Sequence, residues 1–266
     1  MTRLTGGSAA FAVFALVSSC CAAHQTAGNV AAPDYQQPAP AIVKLLTASP
    51  PPTPLVHARS HQVALLYKDA VIDLSTIARP YLGLAGYRYD PGSGVSGVEP
   101  LVSRLDIIAL DGGKPVVQTW RPDKHARLDD LRFSPDGRYL SATRLQPGKA
   151  AQLVLFDTSS GKTRRLKAPI NAAWGNPCEW VEGDAMICRL HAGVRTARPT
   201  PHWSPVVIEN RDGATPVRTY NNLLGNAYDD ALFEYYFTTE LARVSTRGKV
   251  TPMPNTRGML RRFMPS

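Results

Sequence analysis

The chain has 266 residues, of which 44% are hydrophobic and 19% are charged, and it contains 20 glycines and 23 prolines. This composition excludes a disordered chain, and the abundant proline with few charges disfavours an all-α fold. The formal net charge of +9 comes from scattered basic residues with no basic run interleaved with aromatics, so no nucleic-acid partner is predicted.

The N-terminus predicts export. Arg3 precedes an apolar stretch over residues 9–17, which has the length of a signal-peptide core and is too short to cross a bilayer. Residues 17–20 read Val-Ser-Ser-Cys and match a bacterial lipobox, so Cys20 would be lipidated and become the mature N-terminus. The alternative is an ordinary signal peptide cut near residues 22–23. Both interpretations place a cleaved signal peptide within residues 1–23 and predict a periplasmic or cell-envelope location. Only the first adds membrane contact, through a lipid anchor.

Residues 24–54 are rich in Pro, Ala and Gln, which predicts an extended linker. We expect one strand-rich domain over residues 55–266.

A strand followed by a glycine turn and a polar strand recurs four times in this domain. The turn glycines are Gly113, Gly161, Gly213 and Gly248, which are 48, 52 and 35 residues apart. A four-stranded propeller blade takes about 40–50 residues. The repeat therefore predicts an all-β fold, a partial β-propeller of about three four-stranded blades. Residues 222–237 have apolar residues at helical spacing and predict a short helix inserted between blades.

Two cysteines of the domain predict a hairpin. Cys178 and Cys188 flank the sequence Glu-Gly-Asp symmetrically, so a turn at Gly183 would place them opposite each other on neighbouring strands. Because disulfides persist in the periplasm, we expect a structural disulfide; two buried free thiols are the alternative. The spacing matches no zinc-ligand pattern, and no metal or cofactor is predicted.

Two candidate catalytic motifs are rejected on their context. Residues 94–97 read Gly-Val-Ser-Gly and lack the fifth-position glycine of a nucleophile elbow, so Ser96 is not predicted as a nucleophile. His57 and His61 are four residues apart but follow a proline and do not resemble a metalloprotease helix.

The remaining candidates are also predicted to be structural. The pairs Asp129–Asp130 and Asp229–Asp230 could serve as an acid and a base, but neighbouring residues on a strand point to opposite faces, so turn formation or helix capping is preferred. We expect the aromatic residues 235–237 to pack the helical insertion against a blade. No catalytic residue is predicted in this chain.

The end of the sequence predicts an open ring. Residues 261–266 align with residues 131–136, so the sequence stops where the first turn of a further blade begins. An open propeller exposes strand edges and an apolar face. We therefore expect either a fragment of a longer reading frame or a partner chain that completes the ring.

Two segments carry a family resemblance. Residues 72–91 (IDLSTIARPYLGLAGYRYDP) and residues 219–236 (TYNNLLGNAYDDALFEYY) resemble the propeller of prolyl-oligopeptidase-like (S9) serine peptidases, specifically the glutamyl-endopeptidase branch. The similar segments span residues 50–266. Residues 55–61 depart from the family because they stand where a Ser-Pro-Asp-Gly-like turn is usual, which predicts a degraded first strand pair. Residues 92–100 lack the usual aromatic part.

The resemblance implies a function. In this family the catalytic Ser, Asp and His lie in a C-terminal α/β-hydrolase domain, which this sequence lacks. The implied chain is the N-terminal propeller fragment of an exported serine peptidase, which gates or binds peptide substrate in the parent enzyme and is not catalytic by itself. The implied partners are a peptide and a hydrolase domain or partner chain at the open edge. The alternatives are an envelope-anchored, protein-binding lipoprotein and a remnant of the peptidase gene.

Overall fold

The computed structural model describes residues 38–72, 74–97, 100–110, 116–123, 125–192, 197–200 and 221–264. The predicted signal peptide with Cys20, residues 24–37 of the predicted linker, and the turns at Gly113 and Gly213 lie outside the described residues.

The chain divides into two compact units, residues 1–43 and 44–266. Helix α1 (Pro40–Leu46) begins in the first unit, and all its residues are exposed. The prediction of an extended linker is therefore wrong over these seven residues, whose Ala-Ile-Val-Lys-Leu-Leu run follows a proline suited to a first helical turn. No helix in the described part of the chain is long and apolar enough to cross a membrane.

The second unit consists mainly of short antiparallel strands. In chain order the described elements are β1 (Thr53–His57), β2 (Gln62–Lys68), α2 (Leu74–Ile77), β3 (Leu82–Leu84), β4 (Tyr87–Asp90), β5 (Val95–Ser96), β6 (Val102–Ala109), β7 (Val116–Trp120), β8 (Arg127–Phe133), β9 (Tyr139–Gln146), β10 (Lys149–Asp157), β11 (Thr163–Arg165), β12 (Cys178–Glu182), β13 (Ala185–His191), α3 (Ala227–Phe237), β14 (Thr239–Ser245) and β15 (Val250–Pro252).

Twelve of these strands form three four-stranded antiparallel units. The units are β1-β2-β6-β7, β8-β9-β10-β11 and β12-β13-β14-β15. In the described part of the chain, the strand pairing between the first two units is the single residue pair Val102 with Leu128. We call these units blade 1, blade 2 and blade 3. The partial β-propeller of about three blades is confirmed.

The first hairpin shows that one expectation was wrong. Strands β1 and β2 pair over five positions, from Thr53 opposite Leu66 to His57 opposite Gln62. A 3₁₀ turn over Ala58–Ser60 connects them, and His61 takes a left-handed backbone with a φ of 48°. The first strand pair is therefore intact despite the unusual sequence, because a different turn supplies the reversal.

Two insertions interrupt the blades. Residues 69–101 lie between β2 and β6 of blade 1 and carry α2 and the small sheet β3-β4-β5. Helix α3 lies between β13 and β14, so it is inserted within blade 3 rather than between blades. The prediction of a short helix is confirmed. Its predicted position between blades is wrong, because the strand after the helix belongs to the same sheet as the strand before it.

The period-2 pattern of the strands buries one aliphatic face of each blade against its neighbour. One cluster joins blades 1 and 2 and includes Leu105, Leu128, Leu140 and Phe156. A second cluster joins blades 2 and 3 and includes Leu153, Leu155, Met186 and Val244. Burial of each such side chain contributes roughly 1.5–3 kcal/mol, so these two interfaces hold the blades together.

Candidate functional site

The two cysteines of the domain lie opposite each other in blade 3. Cys178 on β12 pairs in register with Cys188 on β13, and their Cα atoms are 4.1 Å apart. The structure joins their sulfur atoms in a disulfide, and both residues are buried in the core shared with blade 2. This bond ties the first strand of blade 3 to the second.

The aromatic residues at the end of α3 pack against the insertion of blade 1 and against Trp174, which lies between β11 and β12. The ring centroid of Tyr236 lies 4.6 Å from that of Tyr89, and the ring of Phe237 lies 4.9 Å from Trp174. The Trp174 indole also donates a hydrogen bond of 2.9 Å to the carbonyl of Phe237. These residues therefore serve packing, and they are covered by their neighbours.

The histidines and the second acid pair have local structural roles. His57 Nδ1 lies 2.7 Å from the hydroxyl of Ser60, within the turn after β1. Asn226 caps α3 by accepting hydrogen bonds from the backbone N–H groups of Tyr228 and Asp229. Asp229 in turn accepts the backbone N–H of Gly225 at 2.9 Å. Helix capping is thus the role of this acidic segment.

A cavity of about 510 Å³ lies between the insertion of blade 1 and the first strand of blade 2. One wall is formed by residues of α2 and of the β3-β4-β5 sheet, and the other by β8 and the turn between β9 and β10. Its polar lining residues are Asp69, Thr76, Arg79, Arg88, Asp90, Ser93, Ser96, His125, Arg127, Asp129, Asp130 and Gln146. The cavity is of the size that encloses small ligands or peptide side chains.

Two ion pairs hold the cavity walls. Arg127 at the start of β8 donates from Nε to Asp69 Oδ2 at 2.7 Å, which ties blade 2 to the end of β2. Arg79 lies 3.4 Å from Asp90, whose carboxylate also accepts the hydroxyl of Ser93 at 2.8 Å. Both arginines are partly exposed, so each pair contributes at most about 1 kcal/mol, and its main effect is to position the insertion.

A third arginine is held by the insertion itself. The guanidinium of Arg88 lies 3.9 Å from the ring centroid of Tyr81 and donates to the carbonyl of Ile77 at 2.9 Å. The positive charges on this wall are thus already engaged with groups of the insertion.

The first acid pair lies in a β-bulge of β8. The register of β8 against β9 shifts between Asp129 and Arg132, and Asp130 has a φ of 50°. This left-handed conformation costs a non-glycine residue on the order of 1 kcal/mol, less for Asp than for most side chains. Both Asp129 and Asp130 line the cavity. The sequence argument against a shared site assumed the alternation of a regular strand, which the bulge interrupts at these two residues.

The environment of Asp130 favours its neutral form. Burial, and next the charge of Asp129, raise the pKa of Asp130 to about 7. Arg132 and Arg189 oppose this rise, and Glu179 adds to it. A carboxyl group with a pKa near neutrality binds or releases a proton at physiological pH, which is a property found often at functional sites.

Arg189 on β13 is a buried cation near this acid. It is 2% exposed, and burial lowers its pKa to about 10. Its guanidinium donates to the carbonyls of Gly175, Asn176, Leu260 and Arg261. Arg189 therefore fastens residues 260–261, which follow the last strand, to blade 3.

Ser96 lies on β5 in the cavity wall. Its hydroxyl oxygen is buried and has no hydrogen-bond partner among the described residues, so no described histidine acts on it as a base. This geometry lacks the nucleophile–base contact that acyl transfer requires.

Sequence reasoning missed the cavity. Its charged residues are spread from Asp69 to Asp130, and no local motif connects them. Only the pairing of β2 with β6, across 33 intervening residues of the insertion, brings them together. The one usable sequence signal was the Asp-Asp pair within a strand, which a regular strand disfavours.

Comparison with known proteins gives two curated relatives. The chain is 30% identical over 237 residues to the probable glutamyl endopeptidase, chloroplastic, of Oryza sativa subsp. japonica, which covers 82% of this chain and 25% of that protein. It is 25% identical to the protein of the same name from Arabidopsis thaliana, over 81% of this chain and 24% of that protein. The chain thus spans about a quarter of the length of these relatives.

Among solved structures, the chain is similar to an acylaminoacyl peptidase of Pyrococcus horikoshii, with 14% identity and a TM-score of 0.38 over 80% of this chain and 26% of that one. It is also similar to an acylaminoacyl peptidase in complex with Z-Gly-Gly-Phe-chloromethyl ketone, with 11% identity and a TM-score of 0.36 over the same shares of the two chains. No family model matches the chain.

Proposed function

Because this chain is homologous to the N-terminal region of prolyl-oligopeptidase-family (S9) serine peptidases of the glutamyl-endopeptidase branch, we propose that it forms the propeller portion of such a peptidase. In this role it binds or gates peptide substrate, and it is not catalytic by itself. The observation that carries the proposal is the 30% identity to the rice protein over most of this chain.

The geometry of the chain supports a non-catalytic role. Ser96, in the elbow-like sequence Gly-Val-Ser-Gly, lies on a short strand rather than on a strand-to-helix turn. A propeller that packs beside a catalytic domain restricts which peptides reach the nucleophile, and a cavity between blade 1 and blade 2 is a surface on which a peptide can dock.

The proposed location is the periplasm or cell envelope. The support comes from the sequence, in the apolar stretch of residues 9–17 and the lipobox ending at Cys20. Replacing Cys20 with Ser is expected to move the protein from the membrane fraction to the soluble fraction. A Cys20→Ser variant that still sediments with membranes contradicts the lipid anchor.

Activity and binding assays on the purified chain test the proposal. We expect no hydrolysis of Glu-containing peptides and saturable binding of the same peptides, measured by fluorescence anisotropy. Turnover that Ser96→Ala abolishes would overturn the non-catalytic role, and an absence of peptide binding would overturn the binding role. A heat-denatured sample of the same chain serves as the control for non-specific binding.

A further inference from the structure

We propose that the side of blade 1 that points away from blade 2 binds the same side of a second copy of this chain and forms a symmetric dimer. We call this side the outer face. It consists of alternate residues of β1, β2, β6 and β7, and its centre is the row Val56, Val63, Ile108 and Val117. The proposal goes beyond the proposed function, because it involves no peptide.

This row of aliphatic side chains crosses all four strands of blade 1. Val56 lies opposite Val63, Val63 lies opposite Ile108, and Ile108 lies opposite Val117. The next residue along β2, Ala64, is buried in the core that blade 1 shares with blade 2. Because successive side chains of a strand point to opposite faces, the row lies on the side away from blade 2.

The row is uncovered in the described part of the chain. Val56 and Val117, on the two edge strands, are 63% and 53% exposed, and no residue of the row belongs to an apolar core cluster among the described residues. Blade 2 also has apolar side chains on both faces, but there both are buried, with Val154 in the core shared with blade 1 and Leu153 in the core shared with blade 3. An apolar patch left open on a sheet face is typical of an interaction surface.

The charges on the outer face neutralise each other. Asp106 accepts the Nε–H of Arg104 at 3.1 Å, and the guanidinium of Arg104 lies 4.0 Å from the ring centroid of Tyr67. The residues opposite Asp106 on the neighbouring strands are Leu65 and Thr119, which are uncharged. Two copies of this face therefore meet without repulsion between like charges.

The far side of blade 3 fits the outer face less well. The row of blade 3 that points away from blade 2 is Glu179, Ile187, Arg243 and Thr251. A head-to-tail contact between two copies would cover these charged side chains with the aliphatic row of blade 1, which costs free energy of desolvation. Contact between two outer faces has no such cost, and it closes after two copies.

The size of the outer face suits a weak dimer. Its four strands have five to eight residues each. With about 4.8 Å between strands and about 3.4 Å per residue, the face measures roughly 19 Å by 20 Å, or about 400 Å². Two such faces cover about 800 Å², which is at the lower end for specific interfaces. We therefore expect a dimer that dissociates on dilution.

Sedimentation equilibrium on the full purified chain, from about 1 µM to about 200 µM, tests the dimer. Cys20 and Cys21 are alkylated beforehand, so that disulfides between copies do not contribute. We expect an equilibrium between monomer and dimer with no larger species.

Matched variants assign the association to the outer face. Val56→Lys and Val117→Lys each place a charge in both halves of a symmetric interface, and each is expected to weaken association at least tenfold. Val71→Lys makes the same change at a valine of the blade 1 insertion that is 67% exposed, and it should leave association unchanged. Because both test positions are exposed and lie on different strands, one variant keeps the test valid if the other does not fold.

The contrary outcomes are distinct. A chain that stays monomeric at every concentration overturns the proposal and leaves the outer face to a different partner. Equal association of wild type, Val56→Lys and Val117→Lys also overturns it, and this result includes association through residues 1–23, which all variants share. Species that grow beyond two copies overturn the symmetric contact. Peptide binding by Val56→Lys, measured as for wild type, succeeds or fails independently of these results and so tests the proposed function separately.

Discussion

The same dipeptide, Asp-Asp, occurs in two regions of this chain with opposite consequences. At residues 229–230 it lies in the first turn of α3, where Asp229 accepts the backbone N–H of Gly225 and the helix dipole favours negative charge. At residues 129–130 it lies in a strand bulge, where burial and mutual repulsion raise the pKa of Asp130 to about 7. The comparison teaches that the same acid pair stabilises a helix start where backbone N–H groups face it, whereas burial in a strand bulge raises the pKa of one of its members.

The largest expected change in stability tests the aromatic packing of helix α3, whose first turn carries the Asp229–Asp230 pair. Phe237 is fully buried and lies among the rings of Trp174, Phe233 and Tyr87. Replacing it with Ala is expected to lower the free energy of unfolding by about 3–5 kcal/mol, measured by denaturant unfolding, because a ring-sized cavity remains. The exposed Leu223→Ala is the control and should change stability by less than about 0.5 kcal/mol. A loss below about 1 kcal/mol in Phe237→Ala would show that ring packing does not hold α3.

The next largest expected change in stability concerns the disulfide of blade 3, the blade that faces the Asp129–Asp130 pair. Glu179 on β12 and Arg189 on β13 act on Asp130, and the Cys178–Cys188 bond ties these two strands together. Replacing both cysteines with Ala is expected to lower the free energy of unfolding by about 2–3 kcal/mol, because the unfolded chain loses a short cross-link. Thiol labelling followed by peptide mass spectrometry checks the bond. Labelling of these two residues in denatured, unreduced protein would contradict it.

A smaller expected effect is a pH dependence of the folding stability, which comes from Asp130 in the Asp129–Asp130 pair. Between about pH 4 and pH 7 the folded chain holds a proton on Asp130 that the unfolded chain, with an ordinary pKa of 3.8, has released. Stability therefore falls as the pH rises through this interval, and Asp130→Asn, which cannot ionise, does not lose it. We expect the variant to be more stable than wild type by about 2 kcal/mol at pH 8 and equal to it at pH 4, allowing for partial solvent screening.

This pH comparison has a matched control and a clear contrary result. Asn tolerates the left-handed backbone of residue 130, so the substitution keeps the bulge. Asp184→Asn, in an exposed turn, should show no such pH-dependent difference. An Asp130→Asn variant that is less stable than wild type at pH 8 would mean that the Asp130 carboxylate already has a stabilising partner. Arg132 and Arg189 would then be the groups to examine, since their charges oppose those of Asp129 and Glu179 at this site.

The smallest effect tests the cap beside the second pair. Asn226→Ala removes the acceptor for the backbone N–H groups of Tyr228 and Asp229. The expected loss is about 1 kcal/mol in the free energy of unfolding, and Asn226→Ser should restore most of it because a hydroxyl also caps. Equal losses in the Ala and Ser variants would argue that the cap contributes nothing.

The sequence predicted the blades because their signals are local. The turn over residues 134–137 illustrates this, since Ser134 accepts the backbone N–H of Tyr139 at 2.9 Å and Gly137 takes the positive φ that the turn needs. The hairpin at Gly183 likewise followed from the spacing of two cysteines. The intact first hairpin was not predicted, because its turn at 58–60 contains neither proline nor glycine.

What the sequence alone determined about this protein was its all-β character, its approximate number of blades, a short helix within residues 222–237 and its resemblance to the propeller of S9 peptidases. These depend on interactions between residues that are close in the chain, which a linear pattern records. Only the tertiary structure decided that α3 lies inside blade 3, that Asp129 and Asp130 share one wall, and that the insertion after β2 encloses a cavity with them. The reason is physical: a bulge and a long-range strand pairing set these positions, and the pKa of Asp130 depends on charges brought in from three different strands.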